Sequence, residues 1–384
     1  MKFDFVVLGA TGLQGKIVSK DLLEKGYTVL LCGRNKQRLD YILKSYKKAR
    51  FHYFDAAHVT EMTKMITKSK ADVVVNCVEG DWNLHILKAC LRSNVNSLDL
   101  GASDGTMTKD QFKLDKALKA KGLIHITGCG SVPGIGNIML RYAAEKFDTL
   151  HKIDVGYAWN SNIKQFVVPF SMPSIIEEFT DPATNIEQGK IVKSIPLDSL
   201  DTYNDAFVGK QKMFYVRHPE PYTFYHYYKD KGLQKVHFLA EFPPHSFDKI
   251  NTLIELGFGS YEEINVNGVK IIPNDVTNEI LKNIKPPQGY AEKEDLFVKI
   301  EGKAGSKKKT ILMQCKVPTL KGWEDAGCNI DTGLPASIIA QMVKKGVITE
   351  KGSFAPEGVV PPEPFFEELR KREMVVYENG KRIN

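Results

Sequence analysis

Cysteine is sparse in this chain, and its placement excludes two of its usual roles. The six cysteines (Cys32, Cys77, Cys90, Cys129, Cys315 and Cys328) are scattered, with no CxxC pair and no metal-ligand spacing to a histidine. Neither a disulfide framework nor a metal site is expected from them. Several sit inside apolar runs, where free cysteine behaves as a small hydrophobe, and a reducing cytoplasm is the natural setting. No apolar run approaches the about 20 residues that span a bilayer. The N-terminus enters an apolar strand at once, which leaves no room for a signal peptide, so no membrane partner is expected. Net charge is only +7, from 53 basic and 46 acidic residues spread along the sequence. The one dense basic run, Lys307 to Lys309 beyond Gly302 and Gly305, reads as a hairpin tip rather than a nucleic-acid surface. Internal repeats and low-complexity tracts are absent. No Gly-x-Ser-x-Gly elbow occurs, which argues against a serine hydrolase of that type. What remains, 42% apolar and 26% charged over 384 residues, is an ordinary globular composition with room for two domains.

The most informative segment is present at the start. Phe3 to Leu8 reads as a buried strand, and Lys16 to Lys25 carries Ile17, Val18, Leu22 and Leu23 at helical spacing. Between them lies Gly9-Ala10-Thr11-Gly12-Leu13-Gln14-Gly15. Strand, glycine turn and helix form the opening unit of a dinucleotide-binding fold. The glycines permit a tight turn and a close approach to a pyrophosphate, which the helix N-terminus then holds. The spacing is GxxGxxG rather than GxGxxG, with Thr11 at the position of the middle glycine. A P-loop is rejected, because five residues separate Gly9 from Gly15-Lys16 and Ile17 replaces the hydroxyl. The second strand, Tyr27 to Cys32, ends in Gly33-Arg34-Asn35. An acidic residue there would bond the ribose hydroxyl of NAD. Arg34 instead suits a 2′-phosphate, so NADP is expected over NAD.

Strand and helix alternate through about residue 130. Strands are expected at Phe51–Phe54, Asp72–Cys77, Ser97–Leu100 and Leu123–Thr127, with one helix over Lys109–Lys121 among the crossovers. Six strands make a complete doubly wound parallel sheet, whose carboxyl ends carry ligands. Asp55, Asn76 and Cys77 lie at such ends and join the glycine turn, Arg34 and Asn35 as candidate cofactor residues. From about 150 to 320 closely spaced strand-like runs predict an α+β domain with a mostly antiparallel sheet. The aromatic run Tyr222 to Tyr228 reads as sheet packing. A helix is expected over Ala336–Lys345, opened by Gly333-Leu334-Pro335, then a helix at Phe365–Lys371 and a last strand at Met374–Tyr377.

Several segments together resemble the saccharopine dehydrogenase family. They are the GATGLQG turn with the later CGRN, the GCGSVPGIGN segment from Gly128 to Asn137, Arg217-His218-Pro219-Glu220-Pro221-Tyr222-Thr223, and the C-terminal GLPAS, APE and PFF segments. The resemblance spans nearly the whole chain. It implies a NADP-linked dehydrogenase acting on a carbon–nitrogen bond of a small amino-acid substrate, saccharopine or a lysine-like one. It also implies a Rossmann domain over 1–130, completed by about 330–384, and a substrate-binding and dimerisation domain over 131–329, in a homodimer. Carboxynorspermidine-type reduction in polyamine synthesis differs only in substrate. Val132 stands where relatives carry Asp, which leaves a non-catalytic NADP-sensing protein as a further reading.

Amine oxidation needs a base, and His218 is the candidate because its ordinary pKa lies near neutrality. Glu220 and Arg217 are candidates to clasp substrate ammonium and carboxylate groups. Asp99 and Asp104, near the fifth strand's end, are candidate replacements for the carboxylate that Val132 lacks. Ser131, Asn137 and Thr223 are further candidate substrate contacts. His85, His125, His151 and His245 read as structural.

Overall fold

Residues 2–168 and 170–384 are described by the structure, a computed structural model. The chain opens with β1 (Phe5–Leu8), α1 (Leu13–Glu24), β2 (Val29–Gly33), α2 (Asp40–Ser45), β3 (Ala49–Tyr53), α3 (Val59–Ser69) and β4 (Val73–Asn76). It continues through α4 (Asn83–Arg92), β5 (Asn96–Asp99), α5 (Gly105–Phe112), α6 (Asp115–Ala120) and β6 (Ile124–Ile126). All six strands are parallel, in the order β3-β2-β1-β4-β5-β6. β1, β2 and β4 are buried along their whole length, which explains why they read as unbroken apolar runs. Strand order reverses between β1 and β4, and at that switch a crevice opens beyond the strands' carboxyl ends.

The middle of the chain holds α7 (Ile135–Ala144), β7 (Thr149–Ser161), α8 (Met172–Thr180), β8 (Ala183–Glu187), β9 (Lys190–Ser194), β10 (Asp201–Asp205) and β11 (Gly209–Tyr215). Next come α9 (Glu220–Tyr228), β12 (Lys235–Phe242), α10 (Pro244–Glu255), β13 (Ile264–Val266), β14 (Val269–Ile271), α11 (Pro273–Leu281), β15 (Glu292–Ala304) and β16 (Lys307–Pro318). The tail adds α12 (Ile330–Lys344), β17 (Gly352–Phe354), α13 (Pro356–Val359), α14 (Pro362–Arg370), β18 (Val375–Glu378) and β19 (Lys381–Arg382). A ten-stranded sheet runs β10-β11-β12-β7-β15-β16-β18-β19, with the β8–β9 hairpin attached to β12. Its pairings are antiparallel except β12 with β7. The architecture is thus α/β: a Rossmann-type parallel sheet beside a mixed-sheet α+β unit.

The tail divides between the two sheets. β17 pairs parallel with β6 as a seventh Rossmann strand, and α12 packs on α1, β4 and β5. The strand near Met374 joins the other sheet instead, beside β16. A buried ion pair fixes the return: the Arg372 guanidinium grips both carboxylate oxygens of Asp21 on α1, at 2.9 and 2.8 Å. Ser337 on α12 donates to the same carboxylate at 2.6 Å.

Three local expectations need correction. The helix expected over Lys109–Lys121 breaks into α5 and α6. Pro335 lies inside α12, which begins five residues earlier at Ile330. The aromatic run Tyr222 to Tyr228 is helix α9, started by Pro219 and Pro221, not sheet. Tertiary contact overrides the strand preference of its aromatics: Tyr222, His226 and Tyr227 surround Phe112 of α5, at ring separations of 5.2–6.3 Å. α9 therefore joins the two halves of the molecule.

Candidate active site

The glycine turn between β1 and α1 is shaped for close approach. Gly9 has φ +75°, and a Cβ there would meet the Cys77 carbonyl oxygen at 2.6 Å, so neither the backbone nor the space admits a side chain. Ala10 is buried and its N–H donates to the Cys32 carbonyl at 2.9 Å, tying the turn to β2. Thr11 packs on Gly33, where an added Cβ would lie 2.6 Å from the threonine methyl. Gly12 is the N-cap of α1 and brings no capping side chain. Leu13, Gln14 and Gly15 form the first turn, whose N–H groups an anion would satisfy. Gly15 is buried, Leu13 is exposed, and the Gln14 Oε1 is buried without a hydrogen bond among the described residues. This cradle fits a dinucleotide pyrophosphate.

Arg34 is exposed just past β2, as expected. Asn35 caps the following turn, accepting from the Gln37 N–H at 3.0 Å. The sequence reading missed Arg38 in that turn. Burial, and then the Arg38 charge, lower the pKa of Lys16 at the start of α1. Arg34 and Arg38 are exposed just past the carboxyl end of β2, the strand end that faces the ribose in such folds. Asp55 shapes the bend after β3 by accepting from the Ala57 N–H at 3.0 Å. Asn76 is spent internally, donating to Asn83 at 2.7 Å and accepting from the Val78 N–H at 3.0 Å. Cys77 contributes its backbone to the floor under Gly9, and burial pushes its thiol far up, so it is not a nucleophile.

A cavity of about 420 Å³ lies beyond β4, β5 and β6, between the parallel sheet and α8. Ser131, Arg217 and His218 line it, so three expected residues meet there. His218 is held rigidly. Its Nδ1 bonds the Glu220 carboxylate at 2.5 Å and its ring stacks on Phe238 at 3.7 Å. A carboxylate on Nδ1 favours the tautomer with hydrogen there, which leaves Nε2 as the basic nitrogen. Ser131 contacts Thr332 of α12 at 3.2 Å, and Thr332 also lines the cavity. Arg217 spans the cleft: it donates to Ser103 at 2.7 Å and pairs with Asp181 at 3.0 Å, while its Nε finds no partner among the described residues.

Other expected residues are brought elsewhere. Asp99 is buried and accepts from the Gly101 and Gly128 N–H groups, Thr127 and Gln111, at 2.6–3.1 Å. These partners and His125 outweigh burial and hold its carboxyl below the usual range, so Asp99 is an internal brace for the β5 and β6 turns rather than a catalytic group. Asp104 caps α5 through the Thr106 N–H at 2.8 Å and does not border the cavity. Asn137 is buried, bridging the Gly134 N–H at 2.7 Å and Glu357 at 2.8 Å. Thr223 is buried beside Glu357. Glu220 is fully buried and orients His218, so it cannot clasp an ammonium group.

The carboxylates that do face the cavity are Glu79, Asp81, Glu177 and Glu178. Glu79 and Asp81 follow directly from β4, a position the sheet-end rule makes readable. Glu177 and Glu178 come from α8, whose place against the cavity no local pattern gives. Val132 is 7% exposed and packs on Gly136, so the cavity takes its negative charge from other elements. Among the described residues no cluster suited to a metal ion occurs, and no helix is long and apolar enough to cross a membrane.

Comparison with known proteins agrees across the chain. The pattern described as "Saccharopine dehydrogenase NADP binding domain" matches residues 5–126, and that of the "Saccharopine dehydrogenase C-terminal domain" matches 130–375. A carboxyaminopropylagmatine dehydrogenase from Synechocystis sp. is 23% identical over 378 residues, covering 95% of this chain and 94% of that protein. A carboxynorspermidine synthase from Vibrio cholerae is 22% identical over 344 residues, covering 85% and 81%. Apo saccharopine dehydrogenase (L-Glu forming) from Saccharomyces cerevisiae shares the fold over 100% of both chains, with a TM-score of 0.76 at 13% identity.

Proposed function

The chain belongs to the saccharopine dehydrogenase family of NADP-binding oxidoreductases, and from that premise we propose that it oxidises or forms the secondary amine of a carboxylated polyamine. The observation that carries the substrate choice is the charge of the cavity. Three carboxylates outside the core, Glu79, Asp81 and Glu177, line it against one guanidinium, Arg217, whose charge Asp181 partly offsets. Saccharopine brings several carboxylates and would meet repulsion there. A substrate with one carboxylate and a cationic tail meets attraction. The names of the two relatives, a carboxynorspermidine synthase and a carboxyaminopropylagmatine dehydrogenase, support the same class.

The roles follow from position. The glycine turn and the α1 N-terminus hold the pyrophosphate, and Arg34 with Arg38 favours NADP over NAD. Bound NADP supplies the hydride acceptor. His218, with Nδ1 fixed by Glu220, takes the amine proton at Nε2. Arg217 and Ser131 orient the substrate carboxylate, and Glu79, Asp81 and Glu177 receive the cationic tail. A lysine-like or saccharopine substrate remains the second reading, supported by the shared fold. A non-catalytic NADP sensor has less support, because the His218–Glu220 pair and the cavity are intact. The exposed apolar side chains of the middle unit, among them Leu256, Val269 and Ile280 at 60–68% exposure, support a homodimer.

Replacing Glu79→Gln with Asp81→Asn tests the tail site. Each exposed carboxylate is worth about 0.5–1 kcal/mol, so KM for carboxynorspermidine should rise about 5- to 30-fold while NADPH affinity stays constant. An unchanged KM would remove the substrate assignment.

A further inference from the structure

Glu178 is a buried carboxyl on the wall of the cavity that His218 also lines. It sits on the side of α8 that carries Ile175, Ile176 and Phe179 into the core. Tyr157 of β7 donates its hydroxyl to the Glu178 Oε2 at 2.6 Å, its one hydrogen-bond partner among the described residues. Phe170 and Phe242 hold the Tyr157 ring edge-on. A carboxyl so fixed, open to a cavity and carrying a single donor, is placed to exchange a proton with whatever occupies the space.

Oxidation of a secondary amine to an amine and an aldehyde contains two proton events. The first proton leaves the amine nitrogen before hydride departs. The second leaves the water that adds to the resulting iminium. Once His218 holds the first it is cationic and unable to take the second. We propose that Glu178 is the acid–base residue of the water step, distinct from His218; this rests on the carbon–nitrogen oxidation proposed above. Water oxygen bonds to the iminium carbon, the C=N π pair moves to nitrogen, and the Glu178 carboxylate takes the water's proton, giving a neutral carbinolamine. Glu178 returns that proton to nitrogen as the C–N bond breaks. The hydroxyl proton then passes to the released amine, so the iminium and water become an ammonium and an aldehyde. In the reductive direction the same carboxylic acid protonates the departing hydroxyl.

The surroundings suit that exchange. Burial pushes the Glu178 carboxyl up to about 7 against the downward pull of the Tyr157 hydrogen bond and the His218 charge, with Glu177 adding an upward push. Tyr157, buried and facing both Glu178 and Glu294, is pushed well above its ordinary range and stays a donor.

The test is rapid-mixing kinetics of NADPH formation from NADP and carboxynorspermidine, with carboxyaminopropylagmatine in parallel, in wild type, Glu178→Gln and Tyr157→Phe. In Glu178→Gln the first turnover should keep the wild-type rate and the steady state should fall about 100-fold, with NADPH binding by fluorescence unchanged. Tyr157→Phe should retain turnover but move the acidic limb of its pH profile upward, because the lost O–H donor raises the Glu178 pKa. The proposal is overturned if Glu178→Gln slows the first turnover and the steady state equally, if it slows neither, or if the limb stays in place in Tyr157→Phe. Wild-type protein forming no NADPH from either compound would instead overturn the substrate reading beneath it.

Discussion

Removing the positive charge beside the glycine cradle should convert cofactor preference without harming the fold. Arg34 and Arg38 are both exposed, so neither substitution opens a cavity or strands a buried partner. A hydrogen bond to a charged group is worth about 1.5–3 kcal/mol. Both guanidinia face solvent, which screens them, so about 1 kcal/mol each is the appropriate figure. Arg34→Ala and Arg38→Ala should each weaken NADP binding about 5-fold, and the double variant about 25-fold. NAD carries no 2′-phosphate, and its affinity should stay within about 2-fold. The assay is fluorescence titration of NADPH and NADH on the same preparation, repeated at high salt. Screening should shrink the wild-type preference and leave the double variant flat. An unchanged NADPH-to-NADH ratio in the double variant would refute the charge argument and return Arg34 to an ordinary loop cation.

Further outcomes follow from other sites. His218→Ala should lower kcat about 100-fold or more with NADPH affinity intact; parallel loss of NADPH binding would mean that the ring is structural. Arg372→Ala leaves Asp21 buried and unpaired by charge, and should cost about 3–5 kcal/mol, read as a lower urea midpoint. The Arg372→Ala Asp21→Asn double variant should recover part of that loss. Glu241 and Asp295 lie buried near Asp205, and burial first, then the neighbouring carboxylates, push both up to about 8. Protons retained in the folded state stabilise it fully below the ordinary carboxylate range. That stability is lost as pH rises from about 4 through about 8, so the melting temperature should fall across this window and Asp295→Asn should flatten the slope.

The nucleotide half was legible because its signals are local. Gly9 to Gly15 lies between two unmistakable apolar patterns, and Gly33-Arg34 follows its strand directly. The polar residues at strand ends were less legible. Asp99 closes β5 and Asp81 follows β4, yet the Asp99 carboxylate turns inward to four donors while Asp81 borders the cavity. Sequence periodicity does not distinguish an inward turn from an outward one. His218 and Glu220 were found through the resemblance, but their relation was not: a spacing of two residues gives no hint that Glu220 is buried beneath the imidazole. Glu178 was invisible, because on α8 it reads as one more polar position beside Ile175, Ile176 and Phe179. Its burial and its tie to Tyr157 arise only when α8 packs against β7. The aromatic run of α9 misled for a similar reason, since contact with Phe112 from a distant element overrides local preference.

The most direct measurement is the ratio of kcat/KM for carboxynorspermidine and saccharopine with NADP, on one preparation of the wild-type protein. The acid-lined cavity predicts a ratio above about 10, the factor that 1.4 kcal/mol of differential interaction confers. A ratio below one, with saccharopine turned over efficiently, would contradict it.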